Sequence, residues 1–180
     1  NSTLICKTEN GNQAETEDYI AGSKVLGLIA GAMGQTAYRE MMSKENMVVS
    51  NAYIKCGQTR CIPGRASWQK EKDQSYDADG KMMIFDLLYE PDCGSRQMTS
   101  SGIDYIADDK KVMTVDTEIS YHHQRPEDKS IGRATGNEDG SSFYQLAGIS
   151  EGQSFGGFIY AGREVAEKII EAVGTLKHVR

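Results

Sequence analysis

The sequence has no long hydrophobic run and little positive charge. Its longest apolar stretch, Val25 to Met33, covers nine residues and includes two glycines, whereas a membrane-spanning helix needs about 20 residues. No membrane span is therefore expected. The formal net charge is −6, and Lys and Arg never occur three in a row. Because a polyanion is bound through clustered cations, nucleic-acid binding is disfavoured.

Histidine and cysteine, the usual ligands of zinc, are also few, with three and four residues respectively. A zinc site needs about four nitrogen or sulfur ligands in close pairs. Only Cys56 and Cys61 form such a pair, and the adjacent His122 and His123 would point to opposite faces of a strand. We expect no metal site, and no motif calls for a cofactor.

The four cysteines are nevertheless an even number, which allows three pairings. Cys56 and Cys61 enclose a loop short enough to close as a small hairpin, which leaves Cys6 to pair with Cys93. The chain begins at Asn1 without a methionine, as it would after removal of a signal peptide. The sequence thus predicts two disulfides and a secreted or periplasmic location. Four reduced thiols in a cytosolic protein are the alternative.

Helical patterns lie towards the two ends of the chain. Over residues 14–45, apolar side chains recur at three- and four-residue steps, which predicts two helices or one kinked helix with a break near Gly31 or Gly34. An apolar stripe from Val165 to Leu176, flanked by charged residues, predicts a C-terminal helix.

Between these helices, short runs of β-favouring residues predict an antiparallel sheet of about five to six short strands. In residues 112–121, apolar side chains that include Ile119 and Tyr121 alternate with polar ones, so one face of that strand should cover a core. The polar residues 122–142 are expected to form a long loop, and residues 1–13 an extended lead-in. The fold class is therefore α+β, in one soluble domain spanning residues 1–180.

The segment Gly152-Gln153-Ser154-Phe155-Gly156-Gly157 resembles the nucleophile elbow of α/β-hydrolases. In that family, glycines permit a strained turn between a strand and a helix, which exposes the serine. The resemblance implies Ser154 as the nucleophile, but a histidine must follow it and only His178 does. His122 and His123 could also converge on Ser154 from elsewhere in the fold. A glycine-rich connection without catalysis is the alternative.

Two other glycine motifs fit known sites less well. Residues 25–35 resemble the glycine turn of a nicotinamide-binding Rossmann unit, but their spacing is GxxxGxxG and not GxGxxG. Residues 77–86 are similar to a calcium-binding loop in placing aspartates around a glycine turn, but no helical pattern flanks them. Close helix packing and a hairpin turn are the preferred interpretations.

The loop between Cys56 and Cys61 is the best candidate for contact with a partner. A loop closed by a disulfide loses little entropy on binding. The arrangement is similar to the cysteine-closed protruding loops of periplasmic lysozyme inhibitors, although the residues inside the loop differ. The residues expected to contact the partner are Gln58, Arg60, Arg65 and Trp68.

No nucleophile, base and orienting acid can be assembled from neighbouring sequence features. The preferred hypothesis is therefore an exported non-enzymatic protein-binding module of inhibitor, immunity or adhesin type, whose partner is another protein. A serine hydrolase is one alternative. A carrier of a small apolar ligand is another, because the eight methionines could line an adaptable cavity.

Overall fold

The chain has the α+β fold expected from its sequence, with helices near both ends and many short, mainly antiparallel strands in small sheets. A computed structural model describes residues 13–14, 16–44, 47–75, 81–124 and 142–174. In chain order the elements are β1 (Gln13–Ala14), α1 (Gly22–Met33), α2 (Gln35–Lys44), β2 (Val48–Val49), β3 (Tyr53–Cys56), β4 (Thr59–Arg60), β5 (Ile62–Pro63), β6 (Trp68–Glu71), β7 (Phe85–Asp86), β8 (Met98–Ser100), β9 (Tyr105–Ile106), β10 (Val112–Met113), β11 (Thr117–Gln124), β12 (Ser142–Ile149), β13 (Phe155–Gly156), β14 (Ile159–Tyr160) and α3 (Arg163–Gly174).

The chain divides into two compact units. Unit 1 comprises residues 1–55 and 115–180, and unit 2 comprises residues 56–114. The single domain expected from the sequence stays a prediction. The strands are more numerous and shorter than the five or six expected, because most of the ladders in the described residues are only two to four residues long.

The N-terminal helical segment breaks where the glycine pattern predicts. Gly34 separates α1 from α2 with a φ of 81°, a conformation that residues with a side chain rarely adopt. The predicted start at residue 14 is wrong, since α1 begins at Gly22. Ile20 and Ala52 exchange two backbone hydrogen bonds of 3.0 and 2.8 Å, which hold the preceding chain in an extended bridge.

The core of unit 1 forms between α1 and α3. Ile29, Val165 and Ile169 are buried there. They come from the apolar stripes of the two helices, and this confirms the predicted C-terminal helix. The opposite face of α3 is charged and exposed, with a Lys168–Glu164 ion pair one turn apart at 2.7 Å.

The long hairpin of unit 1 differs from its expected form. β11 and β12 pair without interruption from Thr117↔Ile149 to Gln124↔Ser142, and β1 pairs in parallel with the other edge of β12. The predicted loop therefore does not begin at residue 122, because β11 continues to Gln124; residues 125–141 lie outside the described residues. Ile119 and Tyr121 are 54% and 63% exposed, so the predicted burial of this face is wrong for both.

In unit 2, β6 is the central strand between β7 and β8. A second three-stranded sheet has the order β10–β9–β5, and a turn at residues 108–110 connects β9 to β10. Gly64 lies where the chain that follows β5 contacts the chain that precedes β9. Its N–H donates to the Asp104 carbonyl at 2.7 Å, and a Cβ at this position would overlap the Ile103 carbonyl oxygen. Gly64 thus fixes the path of the chain just before Arg65.

Candidate functional site

Arg65 and Trp68, both expected from the sequence to contact a partner, meet at one carboxylate. Trp68 on β6 and Asp86 on β7 are directly paired across the strands. The indole N–H of Trp68 donates to Asp86 Oδ2 at 3.0 Å, and Arg65 Nη1 lies 3.6 Å from the same oxygen. The Arg65 guanidinium also lies 5.7 Å from the centre of the Trp68 ring. The three side chains therefore restrain one another.

Asp86 is held in its charged form. The Ser67 hydroxyl donates to the carboxylate and is the largest contribution lowering the pKa of Asp86 below its usual value. Burial acts in the opposite direction, whereas the Leu88 N–H, the Trp68 indole and the Arg65 charge lower the pKa further. A carboxylate stays ionised when donors surround it in this way. Asp86 is thus a fixed negative anchor for Arg65 and Trp68.

The same aspartate shapes an exposed apolar turn after β7. Asp86 Oδ1 accepts from the Leu88 N–H at 3.2 Å, and the Asp86 carbonyl accepts from the N–H groups of Tyr89 and Glu90 at 2.9 Å each. The side chains of Leu88 and Tyr89 are 69% and 73% exposed. Sequence reasoning missed this turn, because it considered Asp86 only as a calcium ligand.

Gln58 and Arg60 lie on the hairpin that precedes this cluster. Gln58 is exposed in the turn with Gly57, and Arg60 is half-buried at the end of β4. Gly57 adopts a φ of 60°, which glycine tolerates at little cost. The backbone conformation of Gly57 and Gln58 thus determines the shape of the turn.

The predicted disulfides are not present among the described residues. Cys56, Cys61 and Cys93 are free thiols, and Cys6 lies outside the described residues. Cys61 is completely buried. Burial raises the pKa of the Cys61 thiol, and the neighbouring Cys56 and Asp108 add to that rise.

Ser154 does not lie on a turn between a strand and a helix. It is exposed just before β13, its carbonyl accepts from the Lys55 N–H at 2.8 Å, and α3 begins only at Arg163. A different serine, Ser120, lies close to a histidine: its hydroxyl is 3.1 Å from Nε2 of His122 on an exposed face of β11. The structure thus gives no support to a nucleophile elbow at Ser154.

Unit 1 contains an apolar cavity of about 560 Å³ between α1, α3 and β14. The residues that line it are Val25, Leu28, Ile29, Ile159, Ile169, Ile170, Val173 and Gly174. No methionine is among them, although the methionines were the reason for expecting a carrier's cavity. The sequence signal that could have found it is the apolar stripe of α3, because Ile170 and Val173 remain exposed beside the buried Val165 and Ile169.

In the described parts of the chain, no group of three or more His, Cys, Asp or Glu side chains could hold a metal ion. No helix in those parts is long and apolar enough to cross a membrane. A scan against protein-family models found no match to this chain, and neither did a search of curated proteins.

Proposed function

We propose that the chain is an exported, non-enzymatic protein-binding module of inhibitor, immunity or adhesin type, whose contact surface centres on Arg65 and Trp68. The observation that carries this proposal is the Asp86 carboxylate, which restrains an arginine, a tryptophan and an exposed Leu88–Tyr89 turn together. Binding energy between proteins concentrates in such arginine and aromatic side chains.

Restraint before binding matters because ordering a long side chain at an interface costs about 0.5–1.5 kcal/mol. Arg65 is half-exposed, yet its head group already lies near a carboxylate and an indole. Trp68 is half-buried and fixed by its N–H. A partner would therefore meet a surface that needs little further ordering. Gln58 and Arg60 extend the proposed contact along the preceding hairpin.

Export and closure of the hairpin by a Cys56–Cys61 disulfide belong to the same proposal, with Cys6 and Cys93 as the second pair. An oxidising compartment favours such bonds. The bond would further restrict the hairpin that carries Gln58 and Arg60. The contact at Asp86 does not depend on it, so the binding surface and the disulfides can be tested separately.

The test is affinity capture of the binding partner from the native compartment, followed by titration of the purified partner. Arg65→Ala should weaken binding at least tenfold, which corresponds to about 1.4 kcal/mol. Arg163→Ala is the matched control, because Arg163 is an exposed arginine that also pairs with a carboxylate, but in unit 1. Arg60→Ala and Trp68→Ala complete the set, each with a melting curve to show that the fold survives. Equal affinity for Arg65→Ala and wild type would contradict the proposal.

A carrier of a small apolar ligand is the second candidate, and the cavity in unit 1 is the observation that favours it. Its volume of about 560 Å³ is in the range of ligand pockets. Because its lining is aliphatic, it would take an alkyl or acyl chain without hydrogen bonds. A fluorescent apolar dye that a long-chain fatty acid displaces would support this function. Ile170→Glu should abolish dye binding, whereas Leu88→Glu, at an equally exposed position outside the cavity, should not.

A further inference from the structure

The apolar cavity in unit 1 has a buried floor and an exposed rim. Ile29 and Ile169 form the floor and are only 2% and 4% exposed. Four other lining residues are between 38% and 71% exposed and form the rim: Leu28, Ile159, Ile170 and Val173. A ligand can therefore lie against the core of unit 1 and still reach water at the rim.

The cavity is open at the C-terminal end of α3. Gly174, the last residue of this helix, is part of the lining. A Cβ at Gly174 would meet no other part of the chain within 4 Å. Ile170, one turn earlier, is the most exposed of the lining residues on the rim. The entrance to the cavity is therefore placed along the last turn of α3.

An aliphatic lining decides how an amphiphilic ligand would be oriented. The side chains that line the cavity contain no hydrogen-bonding group, and burying a polar or charged group without a partner is costly. Only the hydrocarbon chain of the ligand would enter the cavity. Its polar head would stay at the rim, where the charges beside the entrance act on it.

One charge on α3 is not compensated by a neighbour. The helix has five charged residues. Four of them form two ion pairs, Arg163–Glu167 at 3.3 Å and Lys168–Glu164 at 2.7 Å. The fifth is Glu171, which is exposed and forms no hydrogen bond or ion pair within the described parts of the chain.

Glu171 lies beside the entrance. It follows Ile170 directly and precedes Gly174 by three residues, a spacing that makes two residues neighbours on a helix surface. The only charged residue of α1 is Lys24, which already has an interaction partner. The uncompensated charge that these two helices place next to the cavity is therefore negative.

We propose, on the basis of the carrier function considered above, that the cavity binds an amphiphile with one aliphatic chain and a cationic head, such as an alkylammonium ion. The chain lies on Ile29 and Ile169, and the head lies beside Glu171. An ammonium group can donate a charge-assisted hydrogen bond to the Glu171 carboxylate, whereas the carboxylate of a fatty acid is repelled by it. The net charge of −6 also attracts cations to the protein.

The test is displacement of an uncharged fluorescent dye from the full chain by three ligands that share a decyl chain: decylammonium, decanoate and decanol, each below its micelle concentration. Decylammonium should displace the dye from wild type at a concentration about fivefold lower than decanoate, because the two heads are attracted and repelled by one exposed carboxylate. Glu171→Gln should remove most of this preference, and Glu171→Lys should reverse it. High ionic strength should reduce the preference in wild type.

Glu151→Lys is the matched control. It makes the same change in net charge at an exposed turn of unit 1 that does not line the cavity, so the wild-type preference should persist. Melting curves show whether each variant is folded. Equal displacement by decylammonium and decanoate in wild type would overturn the cationic head and leave the carrier function standing, as would an effect of Glu151→Lys as large as that of Glu171→Lys. If none of the three ligands displaced the dye, the carrier function would be contradicted as well.

Discussion

Asp86 connects the central part of the proposed contact surface, Arg65, Trp68 and the Leu88–Tyr89 turn, although its own side chain is not expected to touch the partner. Its two carboxylate oxygens contact different groups. Oδ2 accepts from the Trp68 indole and lies near Arg65, and Oδ1 accepts from the Leu88 N–H. The loss of one charge would therefore loosen an arginine, an indole and a turn at once.

The lowered pKa of Asp86 predicts a pH response of Trp68, the only tryptophan in the chain. Because the folded pKa lies below the unfolded one, the stabilising effect of the carboxylate is present above the usual aspartate pKa and is lost as pH falls through the folded pKa. An acid titration of tryptophan fluorescence should show a transition whose midpoint lies below the usual aspartate pKa. Asp86→Asn should remove it. A transition unchanged in that variant would mean that another group is responsible.

Gly34 and Gly31 provide a matched test of helix geometry, because a Cβ at either position would meet no other atom. Only Gly34 has a positive φ, at 81°. Gly34→Ala should therefore destabilise the protein by about 1–3 kcal/mol. Gly31→Ala, inside α1, should stabilise it by roughly 0.5–1 kcal/mol. Chemical denaturation of both variants measures the difference, and equal effects would show that α1 and α2 are continuous in solution.

At the level of elements, sequence patterns predicted the helices better than the strands. The break at Gly34 and the buried stripe of α3 follow from local periodicity and glycine chemistry. The exposure of Ile119 and Tyr121 could not be predicted in this way, because alternation reports which side chains share a face and not what covers that face. The meeting of Trp68 and Asp86 depends on the register between β6 and β7, which no local pattern contains. Sequence did single out Arg65 and Trp68, but not the aspartate that joins them.

The cysteines bear on the protein as a whole, since their redox state depends on the compartment. With free thiols, Cys56 and Cys93 should react with iodoacetamide in the folded protein, whereas Cys61 should react only after denaturation, because it is completely buried and its raised pKa reduces the thiolate fraction. Intact-mass measurement counts the additions. Protein purified from its native compartment without reductant should take up no label even when denatured, if both proposed disulfides form there. Four additions would contradict the proposed export.

The uninterrupted ladder between β11 and β12 also has a consequence for folding kinetics. Gln124 and Ser142 face each other at its end, so all eight pairs must wait until the chain has closed a loop over residues 125–141. Closure entropy costs about 0.6 kcal/mol for each doubling of loop length. An Asn-Gly turn in place of residues 125–141 would join the same two strand ends in the same register. Such a shortened chain should refold faster than wild type while its unfolding rate changes little, because the entropy of the open chain falls and the paired residues stay the same.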